Sequence, residues 1–144
     1  MICPDINVLV GAFRADTSNH HELKAWLESA MAGTETLGLT TSVLSGVVRV
    51  LTNPRVFREP STPQRVFDQI DSALSARHAQ IISPGPRHWA LFTRLVAEAQ
   101  ATGGLVSDAH HAAIALEHGA TWVSLDRDFA KFPSLTWVRP FPAH

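Results

Sequence analysis

The sequence predicts an α/β domain on a central, mostly parallel sheet, and three observations carry that prediction. Short apolar runs rich in β-branched residues alternate with longer stretches whose apolar residues recur at helical spacing, the pattern of strands joined by right-handed crossovers. Two of the strand-like runs end in an aspartate, Asp5 and Asp126, and a third aspartate, Asp108, stands where a helix begins. A chain of 144 residues with 45% hydrophobic content is long enough for one domain, residues 1–144, with a real core.

Taken in order, residues 1–5 read as a short strand ending in an acid, followed at once by a helical turn or two over 7–13. Ser18 or Asn19 can cap the next helix, which runs to about Met31 with Leu23, Trp26, Leu27 and Ala30 on one face before Gly33 ends it. His20 and His21 fall in its first turn, on the solvent side. Residues 36–40 form a second short strand. The helix over 42–51 packs through Val43, Leu44, Val47, Val48 and Leu51 and stops before Asn53-Pro54. Ser61-Thr62-Pro63-Gln64 has the form of a capping box with proline near the first helical position, so a helix over 63–76 follows, its apolar face made by Val66, Phe67, Ile70 and Leu74. A third strand covers 79–82. Pro84-Gly85-Pro86 then hinges into a helix over 88–101, which Gly103-Gly104 terminates.

The stretch from Leu105 to Phe129 carries the chemistry. Ser107 is a good N-cap, the alanine-rich run after it has strong helix propensity, and Gly119 suits a left-handed C-terminal residue. Asp108 is then the first residue inside the helix, where free backbone N–H groups and the helix dipole favour its ionised form by up to about 1 kcal/mol. Residues 121–125 read as a buried parallel strand with Asp126 at its carboxyl end, the end at which open α/β sheets bind ligands. A helical turn at 129–132 and a small strand at 136–138 complete the chain.

Charge excludes little but directs attention to local features. With 12 Lys plus Arg against 13 Asp plus Glu, the whole molecule makes no electrostatic case for nucleic acid, and Arg49, Arg55 and Arg58 around one turn form its clearest basic patch. A lone cysteine, Cys3, excludes an internal disulfide and any cysteine-rich zinc site. Without a secretory or long apolar segment, the expected setting is the cytoplasm, with no membrane attachment. No P-loop, G-x-G-x-x-G or Asp-x-Asp-x-Thr run follows the first strand, which counts against a nucleotide-binding or phosphatase domain.

An α/β sheet can bring Asp5, Asp108 and Asp126 to one rim, and carboxylates gathered there need a cation. In Asp5-Ile6-Asn7, Asp5 is free to face that cation while Asn7 braces the turn. Read without relatives, Asp126 and Asp128 suit a turn equally well, and Asp108 a helix terminus.

Four motifs in order narrow the reading: Asp5-Ile6-Asn7, the helix with Arg49 followed by L-T-N-P-R-V-F, the D-A-H-H-A-A-I-A-L-E-H-G-A run from Asp108, and S-L-D-R-D-F from Ser124. Across nearly the whole chain they resemble PIN-domain ribonucleases, and more narrowly the VapC-type toxins of bacterial type II toxin–antitoxin modules, especially the mycobacterial kind. The resemblance implies a PIN-like sheet with helices on both faces and an endoribonuclease that uses Mg²⁺, with Mn²⁺ able to substitute, and that inhibits translation and growth. It also implies a VapB-type antitoxin partner, an RNA substrate and a homodimer, for which the faces near Val47 and Phe92 are candidate surfaces. Residue by residue it carries over to Asp5, Asp108 and Asp126 as metal-binding and catalytic acids, with Asp128 as a further catalytic acid. Asn7 and Ser124 support them, and Arg49, Arg55 and Arg127 are candidates for RNA or antitoxin contact.

One expected acid is missing. Relatives commonly carry Glu three residues before the arginine of the third helix, where this chain has Gly46, and no acid occurs between Glu35 and Glu59. Ser42 and Ser45 could at most hold a metal-bound water. An alternative reading is therefore a catalytically weakened PIN domain that binds RNA or antitoxin without efficient cleavage. The His110-His111 pair is assigned to surface or partner contact rather than to catalysis.

Overall fold

Apolar β-branched segments too short to hide both faces alone become strands only by stacking side by side, and five of them do so here. The computed structural model describes residues 1–142; residues 143 and 144, the end of the expected domain, lie outside the described residues. The strands are β1 (Ile2–Pro4), β2 (Leu37–Thr40), β3 (Ala79–Ile82), β4 (Thr121–Val123) and β5 (Trp137–Val138). All pair in parallel, in the order β3-β2-β1-β4-β5. Ile2 is in register with Leu37 on one side and Thr121 on the other, so β1 is the centre of the sheet.

The helices are α1 (Ile6–Phe13), α2 (His20–Ala32), α3 (Thr41–Leu51), α4 (Pro63–Leu74), α5 (His88–Ala99) and α6 (Gly104–Glu117). From β1 the chain steps outward to β2 and β3 through α1 to α4, then returns through α5 and α6 to β4 on the far side of β1. With right-handed crossovers the outward and return steps cover opposite faces. The packing agrees, since α1 lies against α2 and α3, and α5 against α6. The order reverses between β1 and β4, which opens the crevice at their carboxyl ends where an α/β sheet takes its ligands.

Burial follows most of the predicted faces, but Phe67, expected on the apolar face of α4, is 46% exposed. Cys3, Leu39, Val43, Val47, Leu51 and Trp122 are fully enclosed, and Ala109, Ala112, Ala113 and Ala115 let α6 sit close on the sheet. Burial pushes the Cys3 thiol up to about 12. Trp122 stacks on His111, rings 5.3 Å apart, and touches Phe129 at 5.6 Å.

Several expectations need correction. The helix after the third strand ends at Ala99, because Gln100 takes a left-handed conformation (φ 49°) and closes it before the glycines are reached. Gly103 and Gly104 do not terminate that helix but begin the next one, with Gly103 (φ 57°) as its N-cap. Asp108 is consequently the fifth residue of α6, a full turn inside it, and Ser107 is not the cap. His111 faces inward rather than to the surface: it is a core residue, 6% exposed, held neutral by burial with its pKa down to about 4. His20 is half-buried rather than solvent-facing, its Nδ1 2.8 Å from the Gly11 carbonyl. Val47, wholly enclosed within the chain, offers no surface to a second copy, and Phe92 is half-buried.

Candidate functional site

Each acid owes its place to a chain element that stops. β1 ends at Pro4, and Asp5, in extended conformation, caps α1: its Oδ1 accepts the Ile6 N–H at 2.7 Å. β4 ends at Val123, and Asp126 caps a single 3-10 turn over Arg127–Lys131 by accepting the Asp128 N–H at 2.9 Å. Parallel pairing of Pro4 with Val123 and the bond from Asp5 N–H to the Val123 carbonyl, 2.8 Å, fix the two strand ends side by side. α6 brings in Asp108 from above.

Ser124 ties these pieces together. Fully buried, its Oγ donates to Asp5 Oδ2 at 2.6 Å and accepts the Asp126 N–H at 3.0 Å. Asn7 completes the brace, with Nδ2 donating to Ser124 Oγ at 3.2 Å and Oδ1 accepting the Leu125 N–H at 3.2 Å. Two residues more than a hundred positions apart in sequence thus hold the β1 and β4 termini in one register. Asn7 Nδ2 also lies 3.5 Å from Asp5 Oδ2.

Asp108, Asp126 and Asp128 each offer a carboxylate oxygen within 4.8 Å of the others. Asp5 stands behind this trio, 7% exposed and engaged by its three donors. Its charge still reaches the cluster. Burial raises the Asp5 pKa against the pull of Ser124 and the Ile6 N–H, with Asp126 adding to the rise. Burial, then the charges of Asp126, Asp5 and Asp128, push Asp108 up to about 6, and Lys131 partly offsets them. Repelling carboxylates converging on one point, with oxygen donors alone, are the donor set that a hard divalent cation prefers, so the residues present fit Mg²⁺ or Mn²⁺.

Of the arginines, Arg49, Arg55 and Arg127 are exposed, and none joins an ion pair among the described residues. The sequence reading missed Lys131, whose Nζ is 3.2 Å from Asp128 Oδ1; its spacing three residues on within a helical turn was the available signal. It also missed that His110 Nε2 lies 2.9 Å from Ser42 Oγ, tying α6 to the first turn of α3. Clefts of about 400, 340 and 290 Å³ lie elsewhere, and none of the four acids lines them. A hydrated ion and an extended polyanion need accessible oxygens rather than a deep apolar hollow, so the open carboxylate rim suits them better than these clefts. No helix of the described residues is long and apolar enough to cross a membrane.

The position of the missing acid is occupied by hydrocarbon. Gly46 is buried, and a Cβ placed there would meet Ile6 Cδ1 and come within 2.9 Å of its Cγ1.

Comparison with known proteins agrees with this geometry. The chain is 47% identical over 140 residues to Ribonuclease VapC43 of Mycobacterium tuberculosis, covering 97% of this chain and 95% of that one. It is 39% identical to Ribonuclease VapC25 of the same organism, covering 97% and 99%. Among solved structures it shares its fold with VapBC2 from Rickettsia felis bound to a promoter DNA fragment, at TM-score 0.71 and 18% identity, covering 96% and 98%. With a PIN domain model matching residues 2–135 and such identity over nearly the full length of both chains, the chain belongs to the PIN domain family, among its VapC ribonucleases.

Proposed function

We propose that the chain is the toxin of a VapBC-type toxin–antitoxin module, a metal-dependent endoribonuclease that cuts RNA phosphodiester bonds and so arrests translation and growth. The observation that carries this is the convergence of Asp108, Asp126 and Asp128 at the β1/β4 crevice in a chain 47% identical to a named ribonuclease. Asp108, Asp126 and Asp128 would hold Mg²⁺, or Mn²⁺ in its place, with Asp5 as the buried acid beside them. When bound, the ion supplies Lewis-acid polarisation of the phosphate and screening of the charge that develops on it. The chain's own part is placement. Ser124 and Asn7 orient Asp5 and the Asp126 backbone, so the acids meet substrate without reorganising. Arg49, Arg55 and Arg127 are the proposed phosphate or antitoxin contacts, and Arg127 stands directly between Asp126 and Asp128 in the chain.

A VapB-type antitoxin is the proposed partner, its cationic groups drawn to the acidic rim, and a second copy of the chain the proposed dimer mate, working in the cytoplasm. The test is cleavage of RNA by antitoxin-free protein with Mg²⁺ or Mn²⁺ against a chelated control, beside Asp108→Asn and Asp5→Ala. Cleavage that persists in Asp108→Asn would reject the assignment. The closed Gly46 face favours a second reading, a weakened nuclease that binds RNA without efficient cutting; RNA binding with no cleavage at any metal concentration would select it.

A further inference from the structure

We propose that this chain holds one divalent ion rather than a pair, and that Ile6 sets that number by closing the α3 side of the acidic rim. The inference rests on the metal-dependent reading above. A pair of catalytic ions sits roughly 3.5–4 Å apart and is clamped by ligands from both sides. Here the accessible carboxylates come from α6 and the turn after β4 alone, and their oxygens lie within 4.8 Å of one another. Oxygens on opposite sides of a single magnesium ion are themselves about 4 Å apart, so one ion is enough to engage all three carboxylates.

The other side is closed by three separate features. α3 touches α6 through its first turn, yet its Ser42 hydroxyl is already paired with His110 Nε2 at 2.9 Å. At Gly46 the space a side chain would need is taken by Ile6, whose Cγ1 lies 2.9 Å from the Cβ position. The Ile6 N–H bond to Asp5 Oδ1, 2.7 Å, holds the Ile6 backbone in the same turn that orients Asp5, and the Ile6 side chain packs over Gly46. Asp5, the remaining carboxylate, is 7% exposed and accepts from Ile6, Ser124 and Asn7, which makes it a brace for the trio and not the nucleus of a second site.

The experiment is a Mn²⁺ titration of the full chain, read by the electron paramagnetic resonance of free ion and by calorimetry, with a thermal melt as folding control. The wild type is expected to bind one Mn²⁺ per chain, and Asp108→Asn none. Gly46→Glu alone is expected to melt lower without tighter binding, because Ile6 must be displaced. Ile6→Ala/Gly46→Glu, which clears that space and adds an acid, is expected to bind a second ion or to bind the first about tenfold more tightly, since ligand charge count tunes affinity in such steps. Two ions per wild-type chain would overturn the inference and leave the nuclease reading intact. No ion at all would overturn both. The wild-type stoichiometry decides even where the double variant fails to fold.

Discussion

At the scale of residues, the acids and Ser124 define what can be measured. Asp108 titrates near 6 in the folded, ion-free chain against 3.8 for an unperturbed aspartate. Its folded pKa is raised, so its contribution to stability is present in full below about pH 4 and is lost as pH rises through 6; Asp5 shifts in the same direction. Asp108→Asn, permanently uncharged, is therefore expected to melt a few degrees above the ion-free wild type at pH 7, with the gap closing toward pH 4. Equal melting at both pH values would show that the carboxylates do not repel as their placement requires. Ser124→Ala removes a buried hydroxyl that serves Asp5, Asn7 and Asp126 at once. It is expected to cost about 1–3 kcal/mol in denaturant unfolding and to lower RNA cleavage, because unpaired buried groups remain. Asp5 and Ser124 were legible from their motifs. That Asp5 stands behind the trio while Asp128 joins it was not, since which oxygen faces solvent depends on donors from remote residues.

At the scale of elements, caps and stops decide where each acid lands. Thr40 closes β2 and caps α3, its buried Oγ1 accepting the Val43 N–H at 3.1 Å. Thr40→Ala is expected to cost about 1–2 kcal/mol in denaturant unfolding, the usual loss of a side-chain N-cap. The capping residue at Thr62 and the proline after it were readable locally, and α4 begins there. The start of α6 was misread for a physical reason. Paired glycines usually punctuate, but Gly103 uses its left-handed freedom to begin a helix, and Gln100 has already ended the one before. A shift of four residues carried Asp108 off the helix terminus, and its pKa is raised by burial first and then by the neighbouring acids. His111 lies in the core against Trp122, on the part of α6 that buries Ala112 and Ala115 as well.

At the scale of the whole molecule, ion binding and packing are coupled. An ion that binds only the folded state stabilises it by mass action, by about 2.7 kcal/mol at a hundred times its dissociation constant. Mg²⁺ at pH 7 is expected to raise the thermal midpoint of the wild type, chelator to reverse the rise, and Asp108→Asn to show neither; an ion-independent midpoint in the wild type would count against a shared ion site. Since the net charge is only −1, RNA affinity has to come from local arginines. Replacing Arg127 with Ala is expected to flatten the salt dependence of cleavage by about one phosphate contact. The sequence by itself determined the alternation of strands and helices, the apolar faces, the four acids and the likeness to PIN-domain ribonucleases, because these depend on local periodicity and on motifs contiguous in the chain. Only the tertiary structure decided that β1 lies between β2 and β4, that Ser124 locks residue 5 to residue 126, and that Ile6 fills the space beside Gly46. Those are contacts between segments far apart in sequence, and no local preference encodes which of them will meet.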